Sequence, residues 1–428
     1  MKKSILMLIL LLCIDLFSGC GSQRKKEIKV MWWGDVYNAA FGQKLIDAYN
    51  ATNPEVPAKL ITTQGGDYVQ KLLTMAAANT MPDVALMITR DVHNMGMRGA
   101  LMDLRKWTSG SDFQKTRKAM WPDIMNAVTA DNKVYAVPIW TWTPGIYYNK
   151  DLFDKAGVPY PSNDWTWQDF ADTAIRLTKK ENGRKVQFGV VYDLNPTSNM
   201  VMSYIYSHGG RIYSRDMKKS GMNDPVTLAA YKALADLKLK KGVAPTEIET
   251  AGLQTGGMLA DPFQAGKVAM RISGRDAIDV LTQGGISFRW GVAPMPRGPK
   301  GTFCFTMLSN LAISAMTKYP EEAWKFVSFV VSSEGQRLIT AERSDVTVIK
   351  AMTEDDVFVS YKGRPAVNLV FREMLKDAVP LPFVPGSNEW EKYAGDCFQL
   401  VEIGQLAVEE ACRQIARNYD KNVGAKVK

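Results

Sequence analysis

Hydrophobic and polar residues alternate over residues 27–32, with Ile28, Val30 and Trp32 on one side, which predicts an opening strand. Phe41, Leu45, Ile46 and Tyr49 then recur at helical spacing. That helix is expected to stop before Asn53-Pro54, because a proline disfavours helical backbone in the residue before it. Residues 56–61 read as a second strand, and residues 68–78 as a helix carrying Leu72, Leu73, Met75 and Ala76. After Pro82 the run 83–88 is almost continuously apolar, as expected of a parallel strand covered on both faces. Strand–helix–strand–helix–strand at this spacing predicts an α/β layered domain.

The middle of the chain continues in the same style. Thr166 with Asp169 three residues later predicts a capped helix start, and Trp167, Phe170, Ala171, Ala174 and Ile175 form its apolar face. Further strands are predicted at 134–138, 146–148, 188–192, 268–272, 290–293 and 311–314, with a helix at 321–331. The last 80 or so residues read as mostly helical, broken by the proline-rich stretch 379–386. There is no internal repeat and no low-complexity tract.

The start of the chain bears on location. Lys2 and Lys3 precede an apolar run over residues 5–14, too short to span a bilayer as a helix but suited to a signal-peptide core. Leu16-Phe17-Ser18-Gly19-Cys20 resembles a bacterial lipobox, with Phe17 where leucine is usual and Asp15 interrupting the apolar run. Cleavage after residue 19 would leave Cys20 for lipidation and residues 20–26 as a tether. The net charge of +9 is dispersed along the chain and not gathered in an arm, which argues against nucleic-acid binding. Beyond the leader only Cys304, Cys397 and Cys412 remain, so no disulfide framework is expected, and a 397–412 bridge stays open.

Several segments in order resemble family 1 extracellular solute-binding proteins of ABC transporters, the group containing maltose- and other oligosaccharide-binding proteins. They are IKVMWWGD (28–35), MPDVALMITRD (81–91), KVYAVP and GIYYNKDLFDKAGV followed by a Trp-Thr-Trp helix start (133–169), FQAGKVAM (263–270), WGVAPMPRG (290–298) and EEAWKFVSFVVSSEGQ (321–336). The resemblance implies a two-lobe, periplasmic-binding-protein-like α/β fold of class II type, with a hinge and a ligand cleft between the lobes. Crossings are expected near 138–142, 294–296 and 346–349. The N-terminal lobe would comprise 27–138 plus 295–346, and the C-terminal lobe 139–294 plus 347–428. A sugar or oligosaccharide, acidic sugars included, would be delivered to ABC permease subunits by a monomer held at the membrane through its lipid anchor alone. No cofactor and no metal is expected.

Sugars present apolar C–H faces and a rim of hydroxyls, so stacking aromatics and planar polar groups are the candidate contacts. Trp33, Asp35 and Tyr37 follow the first strand, with Trp32 expected in the core. Gln64 precedes a helix. Arg90 and Asp91 end a strand at its carboxyl edge, where open α/β sheets present ligands. Trp140 and Trp142 flank the first crossing, and the resemblance puts Trp142 at a binding position. It also directs attention to Asn195 and to Trp390. At Arg275, followed by Asp276, this chain departs from an aromatic usual in the family; an Arg275–Asp276 pair or a grip on an anionic sugar is expected.

An enzyme is not expected: His93 and His208 lack metal-ligand spacing, and no nucleophile elbow, phosphate loop or Cys-x-x-Cys occurs. A carboxylate pair for glycoside hydrolysis stays open as an alternative. So does an envelope sensor or adhesin built on the same fold.

Overall fold

The computed structural model describes residues 26–63, 67–253, 261–283, 286–343, 345–384 and 386–427. The leader, Cys20 and Gln64 lie outside these residues, as does the side chain of Tyr37. The chain opens with β1 (Ile28–Trp33), α1 (Val36–Ala51), β2 (Ala58–Thr63), α2 (Tyr68–Ala77), β3 (Val84–Ile88) and α3 (Thr89–Met97). β1 pairs in parallel with both β2 and β3. Phe41, Leu45, Ile46 and Tyr49 are the buried stripe of α1, as their spacing predicts.

β4 (Val137–Trp142) and β5 (Pro144–Asn149) are separated by Thr143 alone yet join different sheets. There follow α4 (Trp167–Leu177), β6 (Lys179–Glu181), β7 (Arg184–Val191), α5 (Asn199–Ser207), α6 (Pro225–Leu239), β8 (Val268–Gly274) and β9 (Trp290–Ala293). β10 (Cys304–Ile313), α7 (Pro320–Val330), α8 (Ser333–Glu342), β11 (Val346–Thr347), α9 (Pro365–Met374), β12 (Ala378–Pro380), α10 (Asn388–Glu402) and α11 (Val408–Asn422) complete the elements needed below. One sheet runs β11-β4-β10-β3-β1-β2, with β12 added on β10; the other runs β9-β5-β8-β7-β6. The predicted capping box of α4 is present, Thr166 and Asp169 each satisfying a backbone N–H of the other.

Sheet membership relocates the crossings. The boundary drawn at residue 138 cuts β4, which pairs in the first sheet through Trp142. The return drawn at 295 precedes β10, whose Cys304 and Phe305 pack in the second lobe's core while Leu308, Leu311, Ala312 and Ile313 pack in the first. β10 therefore passes between the lobes within a single strand. A third apolar cluster, including Tyr147, Trp290, Phe358 and Phe371, covers the second lobe with residues that follow β11.

The strongest polar feature lies where residues 343–345 link α8 to β11. Arg275 is only 1% exposed, its guanidinium between the rings of Phe358 and Tyr361 at 4.1 and 4.6 Å. It donates to the carbonyls of Asp345 (3.3 Å) and Phe358 (3.2 Å) and to Asn368 Oδ1 (3.0 Å), with a longer 3.4 Å contact to the Arg343 carbonyl. Burial lowers its pKa to about 10, so it stays charged at neutral pH. Arg343 stacks over Trp140 at 4.4 Å, donates to Asn38 in α1 at 2.6 Å and ion-pairs with Asp345. Arg275→Ala should destabilise the protein by about 3 kcal/mol, because a cavity opens and buried carbonyls lose their donor. Arg275→Lys should recover less than half of the loss, since an ammonium lacks the planar fork; urea unfolding checks both.

Candidate functional site

The cleft forms where the carboxyl ends of strands from both sheets face each other. The first lobe contributes the first turn of α3, with Thr89 and Arg90. The second contributes the residues leaving β7 and β8. Trp142, at the end of β4, stands beside them.

Trp142 carries the best-defined polar arrangement. Its indole N–H donates to Asp276 Oδ1 at 2.9 Å. Gly274 makes this possible, because a Cβ there would overlap both the indole and the carboxylate. The Gly274 carbonyl accepts a 2.8 Å bond from Tyr147, which fixes the turn. Asp276 is solvent-exposed but set low among protein atoms. Desolvation, with repulsion from Asp345, raises its pKa to about 6 against the opposing effects of Trp142 and Arg271.

Besides a cavity of about 490 Å³ between the lobes, bounded by Thr89, Tyr206, Arg211, Arg215 and Phe383 among others, two adjoining cavities occupy the cleft, and Asn199 lines both. One, of about 680 Å³, is bounded by Trp142, Asp193, Asp261 and Arg271 among others. The other, of about 200 Å³, lies between the lobes and is bounded by Thr89, Arg90, Tyr213, Met307, Phe383 and Glu391. A larger depression of about 790 Å³ lies among α4, α5 and α6. No residue of the first sheet lines that one, so movement of the lobes cannot enclose a ligand there.

The expected contacts divide. Trp33 is half-buried, edge-on to Tyr68 at 6.3 Å. Asp35 is exposed but spends its carboxylate as the N-cap of α1, accepting from the Asn38 backbone at 3.0 Å and side chain at 2.6 Å. Arg90 and Asp91 lie in the first turn of α3 and not in a loop. Arg90 reaches across the cleft to Glu391 at 3.5 Å, and its Nε is buried with no hydrogen-bond partner, 3.8 Å from Asp91 Oδ1. Asp91 is buried, and desolvation raises its pKa. Asn195 forms a local turn, accepting from Thr197 N (3.0 Å) and Oγ1 (2.8 Å).

Three expectations are corrected. Trp140 is 1% exposed, packed on Trp32 (5.6 Å) and Phe41 (6.1 Å), so it is a core residue of the first lobe. Trp390 is also 1% exposed; its indole donates to the Ile415 carbonyl at 3.0 Å, and its ring packs on Tyr213 and Tyr419. Arg275 neither faces the cleft nor ion-pairs with Asp276, because its donors are taken up by the 343–345 crossing and the segment after β11. The grip on an anionic sugar expected of it has no geometry to support it.

Sequence reasoning missed Asp193, Asp261, Arg271 and Glu391, which line the cavities, while Asn199 ends the 195–199 segment it had singled out. Asp193 had the same signal that picked out Arg90, a polar residue just past an apolar strand. Cys304, Cys397 and Cys412 are buried free thiols. Among the described residues no group of side chains could hold a metal ion, and no helix is long and apolar enough to cross a membrane.

Two α/β lobes joined by several crossings, with cavities where their strand ends meet, define a two-lobe ligand-binding protein. Residues 35–337 match the family described as bacterial extracellular solute-binding protein, and the chain belongs to that family. A galactooligosaccharide-binding protein of Bacillus subtilis (strain 168) is 23% identical over 442 residues, covering 99% of this chain and 98% of its own. A binding protein of Brucella abortus (strain 2308) is 25% identical over 394 residues, 90% of each chain. Among solved structures, an ABC substrate-binding protein from Listeria monocytogenes in complex with cycloalternan superposes with a TM-score of 0.81. It has 23% identity and covers 93% of this chain and 98% of its own.

Asp276 gives a pH signature. Its folded pKa lies above the ordinary carboxylate value, so the folded state holds this proton more tightly than the unfolded state does. Stability is therefore lost as pH rises from about 4 through about 6. Asp276→Asn should raise the melting temperature of the unliganded protein at pH 8, and the gain should vanish by about pH 4. Calorimetry of both proteins across that range checks it.

Proposed function

We propose that this chain captures a sugar or oligosaccharide between its lobes and delivers it to an ABC importer. The observation that carries the reading is Trp142, an aromatic face in the cleft whose N–H is already engaged by the Asp276 carboxylate. Engaged in this way, the indole is oriented before ligand arrives, and its face can stack on the C–H surface of a sugar while carboxylate oxygens accept from hydroxyls. Preorganisation of this kind reduces the ordering cost of binding. The Listeria protein bound to cycloalternan and the galactooligosaccharide-binding relative support the same ligand class.

In this reading Trp33, Asp35, Tyr37 and Arg90 contribute from the first lobe, and Trp142, Asp193, Asn199 and Asp276 from the other side of the cleft. Asn195 lies on a loop that can add contacts, and Gln64 is a further proposed contact. Ligand touching both sides favours the closed state, because only differential contact shifts such an equilibrium. The partners are permease transmembrane subunits. The leader ends before Cys20, whose lipid holds a monomer at an extracytoplasmic membrane surface, in the periplasm or at the cell surface. The lobes divide at the crossings near residues 142–144, 305–308 and 347–350.

A thermal-shift screen of mono- and oligosaccharides tests the proposal. A ligand at a hundredfold excess over Kd should contribute about 2.7 kcal/mol of stability. Trp142→Ala should weaken the identified sugar at least about tenfold, about 1.4 kcal/mol, while leaving the unliganded melting temperature within a few degrees. Titration calorimetry reads the affinity. Turnover of any sugar in the same samples would overturn the reading in favour of an enzyme.

A further inference from the structure

We propose that the cleft selects sugars carrying a free, protonated amine over their neutral, N-acetylated and uronate counterparts. This rests on the sugar-binding reading above and narrows its substrate class. The site itself is defined by its cavities and by Trp142; the charges lining it indicate what it takes.

The chain as a whole is basic, at +9, and Arg211 and Arg215 line the interlobe cavity on the far side of Tyr213 with no ion pair among the described residues. Around Trp142 and Arg90 the balance differs, because the cations there are already engaged. Arg271 ion-pairs with Asp261 and donates to Ser273 at 2.8 Å. Lys238, at 3% side-chain exposure, is held by Glu402 at 2.8 Å and by the Tyr192 carbonyl at 2.7 Å. Arg90 faces Asp91 and Glu391, and Arg343 is paired with Asp345.

Two carboxylates differ from these. Asp193 leaves the end of β7 and Asp276 the end of β8, and these strands are parallel neighbours in the second sheet. Both side chains are exposed to the cleft, and among the described residues neither has a lysine or arginine within ion-pairing distance. Their hydrogen-bond donors are neutral, the Asn195 backbone N–H at 2.8 Å and the Ser198 side chain for Asp193 and the Trp142 indole at 2.9 Å for Asp276, while Lys238 and Arg271 act on them only from beyond ion-pairing distance. The internal residues outside the description (64–66, 254–260, 284–285, 344 and 385) include no charged residue that could offset them.

Surrounding protein desolvates both carboxylates and raises both pKa values, so each gains when a cation replaces the missing water. An ammonium beside Trp142 gains again over the indole face. A uronate would instead bring another negative charge next to Asp193, Asp276 and Asp345. An N-acetyl group keeps the nitrogen but removes its charge.

The test uses the full-length chain and two matched sets, glucose and galactose, each as the parent sugar, the 2-amino form, the 2-acetamido form and the uronate. Titration calorimetry at pH 7.5 and low salt should place the amine form about tenfold tighter than the parent in at least one set, with the uronate weakest. Raising the salt to 1 M should shrink the preference, since charge attraction is screened. Asp193→Asn combined with Asp276→Asn should weaken the parent sugar as well but bring the amine-to-parent affinity ratio to about one, and an unchanged ratio would overturn the proposal. Parent or uronate binding as tightly as the amine would overturn the amine selectivity and leave the sugar reading standing. Binding of none of the eight would overturn the amine selectivity and leave the sugar reading to be decided by the oligosaccharide screen.

Discussion

Two guanidinium groups grip the segment that leads from α8 into β11. Where a chain leaves regular structure to pass between lobes, its carbonyls lose their ladder partners and must find donors elsewhere. Arg275 supplies them from the second lobe, bonding the carbonyl of Asp345 and closing on that of Arg343. Arg343 works in the opposite direction, lying on Trp140 and bonding Asn38 in the first lobe. The segment is thus tied to both bodies at once. A buried arginine is tolerated here because its planar fork is matched by carbonyls and an amide, and because Phe358 and Tyr361 take its faces.

The same clamp shapes the chemistry of the cleft. It fixes Asp345 close enough to Asp276 to repel it, and that repulsion adds to desolvation in holding Asp276 near the edge of ionisation. The carboxylate in turn orients Trp142. Hinge, acid and aromatic therefore form one connected arrangement, and the unliganded protein carries the cost of a partly desolvated charge. That is the usual bargain at a binding site: groups unfavourable in the empty state gain most when ligand supplies the missing partner. The interlobe contact between Arg90 and Glu391 is weaker by comparison, being a 3.5 Å pair open to solvent and screened by salt.

The legibility of the sequence varied with the range of the interaction involved. Ile28, Val30 and Trp32 could be placed in a strand core, and the α4 capping box could be named, because alternation and capping act over a few residues. Trp140 and Trp142 exposed the limit. Alternation puts them on one side of β4, yet Trp140 lies under Phe41 and Arg343 while Trp142 projects at the strand end. The difference comes from α1 and from residue 343, about a hundred and two hundred positions away respectively. Trp390, a candidate contact by resemblance, is instead covered by Tyr419 of α11 and by Tyr213.

What the sequence by itself determined was the succession of elements, the layered α/β class and the family to which those ordered segments belong. Each follows from local periodicity, turn chemistry and the order of motifs. Only the tertiary structure decided where the lobes part, that β10 serves both cores, that Arg275 clamps the 343–345 crossing, and that among the described residues Asp193 and Asp276 have no ion-paired lysine or arginine. Those outcomes depend on which distant segments arrive beside a residue. Burial and charge compensation are properties of that neighbourhood, and no short stretch of sequence contains it.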